Sequence, residues 1–200
     1  MDPAPGNWRN IENLAPRTLT CGHCGREGSF NQSYACIDGQ GRPLHMAYRC
    51  HSCNRLNYID PNQQQHPGPP YGKAVEHIPK EQEAVSKIYD EARKCFSVGA
   101  HTAAVLSCRK LLMHVAVSLG AKERLNFTDY VQYFLDNHHV PPNSKDWVDH
   151  IRNKGNEANH RVVIMDTTDS KELIDFCEML LKIIYEYPAR GRAATAKPTP

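Results

Sequence analysis

The sequence lacks any apolar run near the length of about 18 residues that crosses a bilayer as a helix, so no membrane segment is expected. Its opening, MDPAPGNWRNIENLAP, lacks the apolar core of a secretion signal. It also lacks a strong charge of either sign: 24 Lys+Arg against 22 Asp+Glu leave a net charge of +2. That balance excludes a polycation that grips nucleic acid by charge alone. The first sixty residues contain no lysine at all. Without a sign of secretion, the eight cysteines read as thiols and metal ligands rather than as four disulfides. The expected location is the cytoplasm. The remaining composition, 40% hydrophobic and 23% charged, argues against wholesale disorder. A length of 200 residues fits one ordinary domain or two small ones.

Four of the cysteines fall in two tight pairs, Cys21-Gly22-His23-Cys24 and Cys50-His51-Ser52-Cys53, separated by the stretch from Gly25 to Arg49. Two residues between cysteines let one tight turn aim both sulfurs at a single ion. Two such turns supply the four thiolates of a closed tetrahedral zinc site. Cys21, Cys24, Cys50 and Cys53 are therefore the expected ligands of one structural Zn²⁺. Four thiolates leave the ion no open position for a reacting water, so catalysis at this metal is not expected. His23 and His51 sit inside the turns as alternative ligands, but the cysteine set is complete without them. Between the pairs the pattern is β. Phe30, Tyr34 and Cys36 lead into the turn signal Asp38-Gly39-Gln40-Gly41, and Leu44, Met46 and Tyr48 alternate on the way back. Leu56 and Tyr58 follow the second pair. From Leu19 to Asp60 the pattern resembles a zinc ribbon.

Residues 1–60 hold six arginines and five acids, a balance of +1. Four thiolates and one Zn²⁺ move it by −2, to about −1. The ribbon is not a basic stripe. Arg42, Arg49 and Arg55 with Tyr48 and Tyr58 form at most a local patch for nucleic acid. Docking to a protein partner is the alternative.

Residues 61–72 hold four prolines and two glycines, which continue neither helix nor sheet. Beyond them, apolar residues recur every three or four positions in five segments. The first runs from Lys80 to Phe96 and stops at Gly99, and the second carries Ala104 to Leu119 and stops at Gly120. The third spans Phe127 to Leu135, and the fourth follows Asn143 or Ser144 as cap. Asp169 and Glu172 read as a capping box before the fifth, whose apolar width makes it either central or a homodimer interface. The expected fold class is α+β, a small zinc-ribbon β module followed by an all-α helical bundle. Its divisions are an N-terminal extension over 1–18, the ribbon over 19–60, a linker over 61–79, the bundle over 80–187 and a disordered tail over 188–200.

The segment Ile151-Arg152-Asn153-Lys154-Gly155-Asn156-Glu157-Ala158-Asn159-His160 is poor in apolar residues. On a helix, Arg152, Asn156 and His160 form one slanted polar stripe about 12 Å long. Together with the string AAVLSCRKLLMHVAVSLGA, this segment resembles a bacterial helical domain family of unknown function grouped with the HEPN superfamily. That family occurs alone or fused to restriction and phage-defence proteins. The resemblance covers roughly Glu81 to Tyr187. It implies a dimeric helical protein, and active members are metal-independent RNases that use an arginine and a histidine. Carried over, Arg152 would clamp a phosphate, His160 would move the proton of the attacking 2′-hydroxyl, and Asn156 or Asn153 would position the substrate. Seven residues separate Arg152 from His160, more than that superfamily's usual spacing, which moves the expectation toward a non-catalytic binding module. Arg109, Lys110 and His114 form a second candidate group for an anionic ligand. Three readings stay open: a dimeric RNA- or DNA-binding module in defence or regulation, an RNase, and a structural adaptor in a restriction or defence complex.

Overall fold

The computed structural model describes residues 8–10, 15–160 and 164–195, with the backbone alone for 9, 10 and 154–160. It is α+β and divides into two compact units, residues 1–70 and 71–200.

Among the described residues, the first unit contains seven strands: β1 Trp8–Asn10, β2 Arg17–Thr20, β3 Glu27–Phe30, β4 Ser33–Ile37, β5 Pro43–Arg49, β6 Leu56–Ile59 and β7 Gln65–His66. Strands β2 and β3 form one antiparallel hairpin, and the other five form an antiparallel sheet in the order β1-β4-β5-β6-β7. The turn between β4 and β5 is held by Asp38, whose carboxylate accepts from the Gln40 and Arg42 amides at 2.8 Å each. These contacts hold the Asp38 carboxyl below its usual range, the Arg42 amide first and the Arg42 side chain second. Alternation then sorts the side chains. Ala35, Met46, Tyr48 and Ile59 turn inward onto Phe30, Cys21 and Cys50.

Part of the stretch read as a linker belongs to this sheet. Strand β7 pairs with β6 through Tyr58 opposite His66 and Ile59 opposite Gln65. The Gln65 amide also donates to the Thr20 carbonyl at 2.8 Å. Proline density forbids a long strand there, but two paired residues suffice when a side chain anchors them.

The second unit carries α1 Glu83–Ser97, α2 His101–Ser118, α3 Phe127–Asp136, α4 Lys145–His160 and α5 Thr167–Leu181. A π turn over Lys182–Glu186 leads into α6, Tyr187–Thr195. Glycines at positive φ close the first two helices, Gly99 at 75° and Gly120 at 108°. The amides of Ala100 and Ala121 reach back to the carbonyls of Cys95 and Ala116, which satisfies acceptors orphaned at each helix end. Helix α5 lies at the centre: Leu173, Ile174, Phe176, Cys177, Leu180 and Leu181 are all fully buried. Its apolar width is thus consumed inside the chain's own core, and a second copy is not needed to cover it.

Two local readings change. The cap of α5 lies one turn before the expected Asp169-Glu172 box: Asp166 accepts from the Asp169 amide and Asp169 accepts from the Asp166 amide. Glu172 instead meets His150 of α4 at 2.5 Å. Helix α6 occupies part of the stretch read as a disordered tail. Its Arg190 pairs with the buried Glu186 at 2.8 Å, an i to i+4 contact that supports the first turn.

Candidate functional site

The two cysteine turns have the same shape. The Cys21 amide bonds to the Arg26 carbonyl and the Cys50 amide to the Arg55 carbonyl, both at 2.9 Å. The amides of Gly25 and Asn54 return to the carbonyls of Cys21 and Cys50, both at 2.8 Å. Each of these last residues is left-handed, with φ of 71° at Gly25 and 59° at Asn54. Glycine and asparagine are the residues that tolerate this conformation best. The turns bring the four sulfurs within 4.8 Å of one another. Cys21 and Cys53 lie 3.7 Å apart, and Cys24 and Cys50 lie 3.8 Å apart. Four sulfurs at about 2.3 Å from one zinc ion would stand about 3.8 Å from each other. The cluster therefore has the size and donor set of a four-thiolate metal site.

His23 is not part of it, because its Nε2 lies 2.9 Å from the Leu56 carbonyl. Its backbone amide does serve the cluster and donates to the Cys21 sulfur at 3.4 Å.

Cys24 and Cys50 are driven in opposite directions before any metal binds. Burial opposes ionisation at Cys50, but the Cys53 and Ser52 amides and the neighbouring thiols outweigh it and lower the group to about 7. Burial raises Cys24 to about 12. A dication inside the cluster favours the thiolate form of all four.

Sequence reasoning missed the support behind the cluster. Asn57 is fully buried and donates to the Cys21 sulfur at 3.5 Å. Its oxygen accepts from the Gly22 amide at 2.8 Å and from Gln65 at 3.1 Å. A lone asparagine in a strand carries no spacing signal that announces this role. Gly22 has its own constraint: a Cβ there would lie 2.0 Å from the Pro67 carbonyl oxygen.

In the helical unit, the residues singled out from the sequence part company. Arg109 of α2 is 3% exposed, and its guanidinium carbon lies 4.1 Å from the centre of the Phe127 ring. Its Nη1 is buried without a hydrogen-bond partner among the described residues. Burial lowers the affinity of this group for its proton. Lys110 and His114 lie on the exposed face of the same helix, where His114 contacts Gln82 at 3.4 Å. The helix phase explains the split: Arg109 falls between the buried Val105 and Leu112, four and three positions away.

Arg152 is engaged. Its Nη1 donates to Asp149 at 2.9 Å and to Gln132 at 3.1 Å, while its Nε is buried without a hydrogen-bond partner among the described residues. Helix α4 runs unbroken through Gly155 to His160. The side chains of Asn156 and His160 lie outside the described residues.

No curated protein matches this chain, and no solved structure does. One family model does match, over residues 90–197, and its description is a domain of unknown function, DUF4145. That stretch is more than half of the chain and includes helices α2 to α6 entire. The chain belongs to the DUF4145 family.

Proposed function

We propose that this protein is a zinc-stabilised binding module for nucleic acid, acting in the cytoplasm in prokaryotic or phage defence or regulation, and that it is not itself catalytic. The observation that carries the reading is Arg109, a buried guanidinium with no carboxylate partner among the described residues. A buried cation with a free donor is costly to keep unless an anion completes it. A phosphate is the anion that a guanidinium fork fits best. Zinc is the ion proposed for the cysteine cluster, on the strength of the four sulfurs and of two separations that match a tetrahedral edge. The HEPN-like kinship rests on the sequence resemblance of the helical segment alone. Homodimerisation draws no support from α5, whose apolar residues are already covered.

The test is Arg109→Met. Removing a buried unpaired charge is expected to leave stability unchanged or raise it. If Arg109 holds phosphate, the same change weakens oligonucleotide binding at least tenfold, about 1.4 kcal/mol. Undiminished binding by the folded variant refutes the reading.

Metal-independent RNA cleavage by Arg152 and His160, with Asn156 positioning the substrate, is the second reading. It is favoured by the Nε of Arg152, which has no partner among the described residues, and opposed by the grip of Asp149 and Gln132 on the same guanidinium. Cleavage of cellular RNA in magnesium-free buffer, lost in His160→Ala, would select it.

A further inference from the structure

The five-stranded sheet of the first unit turns one face to the cysteine core and the other to solvent. Strand register lines up the solvent face. Tyr34 of β4 stands opposite Ala47 of β5, Ala47 opposite Tyr58 of β6, and Tyr58 opposite His66 of β7. Trp8 of β1 is near His45 and Tyr58, 6.3 Å from each ring centre to centre. The His45 and Tyr58 rings are themselves stacked, 5.8 Å apart and 15° from parallel. An open cavity of about 650 Å³ sits on this face, lined by Trp8, Tyr34, Ala47, Arg49, Asn54 and Leu56. Trp8 is 42% exposed, Tyr34 41% and Leu56 47%, so the rings are available rather than buried. The alanine between them leaves the floor low.

Arg49 supplies the charge. Its guanidinium donates to Gln32 at 3.3 Å and to Asn54 at 3.1 Å. Both acceptors are neutral amides, so the side chain is positioned without being neutralised. No carboxylate lies within ion-pair distance of it among the described residues. Asp38 is taken by Arg42, and Asp60 is beside His66.

We infer that this face is a stacking platform for the unpaired bases of a single-stranded nucleic acid, with Arg49 on a neighbouring phosphate. The inference rests on the nucleic-acid reading above and names a separate site in the other unit. Exposed rings around a small-residue floor fit planar groups, and a fixed cation beside them fits the anion that links one planar group to the next. A duplex hides its base faces and must be held by charge, which this unit lacks. Affinity should therefore come from stacking, and it should fall only gently with salt, with a slope near that of one or two phosphates.

The experiment uses the full zinc-loaded chain and fluorescent oligonucleotides of about twelve nucleotides, a length in the range one such module covers. The ligands are oligo(U), oligo(dT), an abasic strand of the same length, a duplex, and free dTMP. Binding of oligo(U) or oligo(dT) well above the abasic strand and the duplex is expected. Trp8→Ala and Tyr34→Ala should each weaken it about tenfold. Arg49→Gln should weaken it and flatten the salt slope by about 0.7. Zinc content and thermal midpoint report that each variant is folded. dTMP competing at the same concentration as the oligomers would identify a free nucleotide as the ligand.

Equal affinity for the abasic strand, or unchanged affinity in folded Trp8→Ala and Tyr34→Ala, overturns the inference. If Arg109→Met abolishes binding while the face variants do not, the platform falls and the anion site stands. If only the face variants matter, the reverse holds. If no oligonucleotide binds the parent protein, both fall. Capture of an acidic aromatic peptide by the same face, lost in the same variants, would also overturn it in favour of a protein partner.

Discussion

Gly22 concentrates the demands on the cysteine turn in a single position. Its amide donates to Asn57, and its missing Cβ lets the Pro67 carbonyl approach. Gly22→Ala would put a Cβ 2.0 Å from the Pro67 carbonyl oxygen, so the two must part by about an ångström or more, which displaces either the Cys21 turn or the segment after β7. The expected result is zinc affinity at least tenfold weaker, read by competition with a chromophoric chelator, and a stability loss of about 1–3 kcal/mol. Gly28→Ala is the control, since a Cβ there meets nothing within 4 Å. Asn57 acts one step out. Asn57→Leu removes the donor to the Cys21 sulfur and strands the Gly22 amide and the Gln65 side chain. Loss of such an outer partner lowers metal affinity about 10–100-fold. Unchanged affinity in Asn57→Leu would show that the cysteine turns hold their own geometry.

Among the elements, α5 depends on a cap that sequence pattern misplaced. Asp166 and Asp169 exchange side-chain and backbone bonds across the first turn, and both charges stand at the positive end of the helix. Asp166→Ala should cost about 1 kcal/mol, seen as a lower urea midpoint with an unchanged slope, whereas Thr168→Ala on the exposed side should be silent. The misplacement is instructive. Asp169-x-x-Glu172 satisfies the same spacing rule as Asp166-x-x-Asp169, and only the fold reveals that Glu172 is facing His150. The helices themselves were legible, because apolar residues at steps of three and four mark α1 to α5 and glycines close two of them. The cysteine pairs were legible for a similar reason, since spacing alone builds the turn. The short strands β1 and β7 were not. Three and two residues carry no measurable alternation, and each exists because a neighbouring strand is there to pair with. Arg109 was half legible: its residue type pointed to a ligand, but its inward phase follows only when Val105 and Leu112 are counted on the same face.

At the scale of the molecule, the two units hold separate cores of unequal size. Among the described residues, the helical core is built from 25 buried ones, from Val85 to Leu181. The core of the first unit has seven, and two of them, Cys21 and Cys50, belong to the cysteine cluster. A core that small does not hold a sheet of short strands by apolar burial alone, so the metal is expected to supply folding energy outright. The helical core has no such debt. A strong chelator should therefore unfold the first unit and spare the second. Far-ultraviolet circular dichroism should keep its helical signal through zinc removal. Amide exchange at Ala35, Tyr48 and Ile59 should accelerate to that of an unfolded chain, and readdition of zinc should restore protection. Acid should act in the same direction, since protons compete with the metal for four thiolates: apparent affinity falls as pH drops. Loss of the helical signal together with the metal would mean that the helical unit depends on the first unit, and the two cores would then have to be treated as one cooperative structure.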